Sequence, residues 1–237
     1  MDIFTYRPLF RLFALIGNPV EANMIAFVIS CFTVAVMIFV VFPIRESAQG
    51  YLAKYLGDDT AERYGRLTLN PLVHIDRLGA LIMLIAPIGW GKPIPVNPGK
   101  CHKVKGRTAV VLIALSGPLA NILLAYIFMV IMKIMFLVTG EVTQTLYYLV
   151  LAISIIIQLN VFIAVLNLLP LPQFAGGKIL FAYLNPRAAM KIMQYQQYIT
   201  IAFIFLLFIE GSPLRWLIAY ISQNIITLLH LLSKFLG

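Results

Sequence analysis

Two short runs hold the residue types and spacings that could do chemistry. In Arg45-Glu46-Ser47-Ala48-Gln49 a carboxylate follows a guanidinium, and an amide stands four residues after the arginine. On a helix, residues four apart share a face and neighbours are turned by about 100°. That is the spacing of a metal-binding helix, with two ligands one turn apart and an acid between them. The side chains are of the wrong kind: Arg has only donors and keeps its charge, and the amide oxygen of Gln is a poor zinc ligand. The second run, Asn167-Leu-Leu-Pro-Leu-Pro-Gln-Phe-Ala-Gly-Gly177, sets an amide eight residues before an alanine and two glycines.

The elements that must position these runs are membrane helices. At 61% hydrophobic residues, 11% charged residues and a mean hydropathy of +0.93, the chain has too little polar surface for a water-soluble globule. The fold class expected is an all-α polytopic membrane protein, a single membrane domain over 1–237, with a core of about 19–180 and a C-terminal helical hairpin over 181–237. Met24 to Ile44 is apolar except for Ser30 and Thr33, and its 21 residues suffice to cross a bilayer. The helix is expected to continue past Pro43 to about Gly57, with a kink where the proline frees the Phe39 carbonyl. Tyr64 to Asn70 alternates polar and apolar residues, which predicts a short β element. Leu78 to Ile88 is too short to span and reads as re-entrant. Thr108–Val138, Leu146–Leu169, a helix reaching Phe208 from an amphipathic lead-in over Lys178–Gln197, and Trp216–Leu236 complete about five spans.

Charge sets the orientation. The formal net charge of +9 concentrates at Lys100, Lys103, Lys105 and Arg107, then at Lys178, Arg187 and Lys191, which marks these loops as cytoplasmic. Both chemical runs then lie at the cytoplasmic end of a multi-pass protein, and Thr139–Thr145 lies outside. Arg7 and Arg11 flank too short an apolar run for a removable signal and predict an interfacial anchor, although this topology puts the N-terminus outside. Membrane lipid is the expected surrounding. Nucleic acid is not an expected partner, because no basic patch is interleaved with aromatics. Cys31 and Cys101 make no disulfide framework, and His74 and Asp76 read as structural rather than as metal ligands.

The frame at 45–49 matches H-E-x-x-H with both histidines replaced, and its continuation Gly50-Tyr-Leu-Ala-Lys-Tyr-Leu-Gly-Asp-Asp59 resembles the site-2 protease family of intramembrane zinc proteases. So do Ser116-Gly-Pro-Leu-Ala-Asn121, Asn70-Pro-Leu-Val-His-Ile-Asp-Arg77 and the run from Asn167 to Gly177. The resemblance covers Pro19 to about Leu180. It implies that Arg45, Gln49 and Ala175 stand at the three zinc-ligand positions and Glu46 at the general-base position. It also implies that Asn167 helps to hold substrate, and that Gly176, Gly177, Trp90, Pro93 and Pro95 shape a substrate cleft. Zinc is the cofactor of the family, but its ligands are absent here, so no metal and no cofactor are expected. Glu46 alone cannot bring the pKa of water from about 15.7 to near 7, which is the metal's contribution. The functional expectation is a catalytically inactive pseudoprotease that binds a transmembrane segment of a client as an adaptor or regulator. The alternative is an active or deliberately disabled intramembrane metalloprotease. A transporter would need a polar face along a span, and these spans lack one.

Overall fold

The computed structural model describes residues 20–85, 89–139 and 143–234. The proposed N-terminal anchor, the end of the re-entrant segment at 86–88 and the tip of the loop at 140–142 lie outside the described residues. The first helical column is α1 (Val20–Val36), a π turn (Met37–Val41) and α2 (Phe42–Leu56). The short helices α3 (Thr60–Arg63), α4 (Pro71–His74) and α5 (Arg77–Ile85) follow. Then come α6 (Gly106–Thr139), α7 (Gln144–Leu168), α8 (Ala175–Tyr183), α9 (Pro186–Gln194), α10 (Gln196–Phe208) and α11 (Pro213–Leu232).

Among the described residues, three helices are long and apolar enough to cross a membrane: Met24–Leu56, Gly106–Thr139 and Gln144–Leu168. The central one is α7, which is buried on every side from Leu159 to Asn167. A helix apolar all round belongs in the middle of a bundle, and α7 packs against α1, α6 and α11. The core around it contains Met37, Val41, Ala125, Met129, Val161, Leu207 and Ile218, all shielded from solvent.

The structure departs from the expected elements in three places. A π turn stands just before Pro43, and in it the Phe42 amide reaches back to the Met37 carbonyl. Tyr64–Asn70 forms no strand, and there is none among the described residues. The polar groups that a strand would pair go elsewhere: the Thr68 carbonyl accepts from Ser47 Oγ at 2.8 Å and from His74 Nε2 at 2.6 Å, and Arg66 Nη2 donates to the Lys92 carbonyl. Alternation here serves side-chain bonds across a loop. Finally, the helix expected to reach Phe208 breaks into three. Asn185 caps α9, with its side chain accepting from the Arg187 amide, and Pro186 disfavours helix at the residue before it. A second break at Tyr195 leaves α10 only 13 residues, about 20 Å at 1.5 Å per residue. It meets α11 at a bend of 73°, and the pair counts as at most one further span, giving three or up to four by length and composition.

Candidate functional site

At 1.5 Å per residue, Arg45 lies about 31 Å along the helix from Met24, where a hydrocarbon core of roughly 30 Å ends. Its helix, α2, can approach α6 closely because α6 offers a glycine there. A Cβ on Gly117 would lie 2.7 Å from Gln49 Nε2 and 3.6 Å from Arg45 Cγ. The motif Ser116-Gly117-Pro118 is therefore the notch that admits the polar face of α2.

Opposite this face stands the end of α7. Arg45 Nη2 donates to Asn167 Oδ1 at 3.1 Å, across 122 residues of chain. Asn167 Nδ2 donates to the Ile163 carbonyl one turn back at 2.7 Å. The amide expected to hold substrate is thus tied to its own helix and to the arginine. Glu46 is 4% exposed. Its Oε2 accepts from the Ile94 amide at 3.1 Å, and its Oε1 lies 3.7 Å from Arg45 Nη2.

Arg45, Glu46, Gln49, Asn167 and Ala175 share one cavity of about 490 Å³. Trp90 and Pro93 line it with them, and α10 closes it with Phe203, Ile204, Leu207 and Phe208. Pro95 is not part of the lining, and neither is Gly176 or Gly177. Those two glycines face the turn at 168–172: a Cβ would lie 2.1 Å from the Leu168 carbonyl oxygen at Gly176, and 1.9 Å from that of Leu171 at Gly177. Their place is to let α8 start tight against that turn.

His74 is buried against Thr68, and Asp76 Oδ1 accepts from the Gly79 amide, so both stay outside the cavity lining. Two contributors carry no motif: the Ile94 amide and Lys178. Lys178 was legible in principle, because it stands three residues after Ala175 on α8 and so shares its face. Burial holds its ammonium below the usual lysine range, while Glu46 pulls it back up and Arg45 pushes it further down.

The chain is similar over much of its length to two curated proteins. It is 38% identical over 184 residues to "Putative zinc metalloprotease YwhC" of Bacillus subtilis, covering 76% of this chain and 83% of that protein. It is 28% identical over 158 residues to "Putative zinc metalloprotease Rip2" of Mycolicibacterium smegmatis, covering 65% of this chain and 58% of that one. No family model matches the chain, and no solved structure does. A helical membrane bundle with the metallopeptidase helix frame at one end defines the class of membrane-embedded metalloprotease relatives. Within that class, the chain belongs to the site-2 protease family.

Zinc in that frame needs three neutral imidazole, thiolate or carboxylate donors and an open position. The positions here present a guanidinium, an amide and a methyl group. Among the described residues, no three His, Cys, Asp or Glu side chains come together to hold a metal ion. This donor set does not fit zinc.

Proposed function

We propose that this chain is a non-catalytic member of the site-2 protease family, which binds a transmembrane segment of a client and acts as an adaptor or regulator. The observation that carries the reading is the exchange of all three ligand positions within a cavity that is still walled by apolar side chains. The alternative, an active or disabled protease, has Glu46 in its favour, buried and facing the cavity. Without donors at 45, 49 and 175, that carboxylate has no metal-bound water to deprotonate. Asn167, committed to Arg45 and Ile163, likewise offers a substrate little.

In this reading the motif end faces the cytoplasm, since the exposed Lys100, Lys103, Lys105 and Arg107 gather there. Five crossings would require α10 and α11 to cross separately. The test is a comparison of membrane-protein fragments between cells making this chain and cells making its Glu46→Gln variant. The expected result is no difference, together with photo-crosslinks from a probe at Ile204 to a defined membrane protein. A fragment that disappears in the Glu46→Gln cells would establish proteolysis and end the pseudoprotease reading.

A further inference from the structure

The polar end of the cavity offers more hydrogen-bond donors than the protein uses. Arg45 Nε is buried and makes no hydrogen bond. Among the described residues, neither Lys178 Nζ nor the side-chain amide of Gln49 has a hydrogen-bond or ion-pair partner, although both line the cavity. The one carboxylate, Glu46, already accepts from Ile94 and faces Arg45. Of the charged side chains lining the cavity, Arg45 and Lys178 are cations and Glu46 is the anion. The formal balance is +2 − 1 = +1, which a single anionic group would neutralise. The lining also includes Ile82, Trp90 and the α10 side chains Phe203, Ile204, Leu207 and Phe208, with Thr200 bonded to Gln173 among them. The volume, about 490 Å³, falls within the roughly 300–1,000 Å³ of single small-ligand sites.

We propose that the cavity binds an amphiphile with one anionic head, a carboxylate or a phosphate, placed between Lys178 and Arg45, with its aliphatic chain along α10. Where zinc, a cation, would sit in the family, this chain is arranged to hold an anion. The proposal goes beyond client binding and does not depend on it. Lys178 and the Arg45 guanidinium supply charge-assisted donors to the head, with Gln49 beside them, and bonds of this kind outweigh neutral ones. The apolar part of the lining supplies affinity in proportion to the apolar area it removes from water.

Trp90, in the cavity lining, provides the probe. The chain has two tryptophans, and Trp216 is 66% exposed on α11, so Trp216→Phe isolates the Trp90 signal. A fatty acid brominated at mid-chain, the corresponding alcohol and a phosphatidic acid with the same brominated chain are titrated into purified full-length protein in detergent. Quenching of Trp90 is expected to saturate with the acid, the phosphate or both, and the tighter of the two identifies the head. The alcohol is expected to bind roughly tenfold or more weakly, as loss of a desolvated charged hydrogen bond predicts. Lys178→Gln should weaken binding of the anion by a similar factor without changing the alcohol, and Lys178→Arg should restore it. Equal quenching by acid and alcohol, no saturable quenching by either anion, or indifference to Lys178→Gln in folded protein would each overturn the proposal. Should Lys178→Gln not fold, the comparison of acid with alcohol in the Trp216→Phe protein decides it alone.

Discussion

Arg45→Ala is the substitution whose cost the structure sets most sharply. The side chains of Arg45 and Glu46 are 13% and 5% exposed, and their charged atoms stand 3.7 Å apart. Stranding a fully buried partner costs about 3–5 kcal/mol, whereas losing an exposed pair costs under about 1 kcal/mol. Glu46 keeps its bond from the Ile94 amide at 3.1 Å and still has Lys178 in the same cavity, which places the loss near the lower end, about 3 kcal/mol. Roughly 1 kcal/mol of this is the hydrogen bond to Asn167. At about 2–4 °C per kcal/mol for a chain of this size, the melting temperature in detergent should fall by about 6–12 °C. Adding Glu46→Gln removes the stranded charge and lets an amide oxygen accept from Ile94. The double variant should therefore recover about 2 kcal/mol, leaving the Asn167 bond unrecovered. Thermal unfolding followed by circular dichroism measures both. Equal losses below about 1 kcal/mol in the two variants would mean that each group is solvated separately, and the reasoning from a buried pair would fail.

Elemental analysis of the purified chain should find no stoichiometric zinc; close to one zinc per chain after mild chelation would contradict the donor argument. The triple variant Arg45→His, Gln49→His, Ala175→Asp should bind zinc after dialysis if α2 and α8 keep the geometry of the family. Gly177→Ala should abolish folded protein, because the new Cβ would meet backbone at the Leu171 carbonyl, whereas Gly117→Ala meets only the end of the Gln49 side chain and should be tolerated. A size-exclusion profile of the two variants decides that contrast. Lys133→Met should loosen the C-terminus, since Lys133 Nζ donates to the Ser233 carbonyl at 2.8 Å, and faster hydrogen exchange at the end of α11 would report it.

The meeting of Arg45 with Asn167 was legible because span lengths and basic loops bring both runs to one end of the bundle, whatever the packing between them. The spacing of four in 45–49 likewise survived, since α2 is regular there. What the residues did not disclose was backbone chemistry: the Ile94 amide on Glu46 comes from between Pro93 and Pro95, where the resemblance pointed only to side chains shaping a cleft. Alternation at Tyr64–Asn70 misled because period two describes where side chains point, and a loop whose Thr68 carbonyl is held by Ser47 and His74 can alternate as well. Gly176 and Gly177 were expected in the cleft from the resemblance alone; the tight packing of α8 against the turn at 168–172, which needs them small, has no signature in the residues. Hydropathy counts about five spans, whereas among the described residues three helices, or up to four, are long and apolar enough, because α10 and α11 are short and meet at a bend of 73°.

The π turn at Met37–Val41 makes the long helix carry one residue more than an α-helix of the same rise would need. That surplus is a built-in tolerance for shortening. Deleting a single residue within 37–41 can convert the wide turn to an ordinary one while leaving both flanks facing as they do. The same deletion at Ile44 has no slack to draw on: it swings Glu46 and Gln49 by about 100°, away from the notch at Gly117. Length variation in this helix should accordingly be survivable at one place, five residues long, immediately before the site it protects.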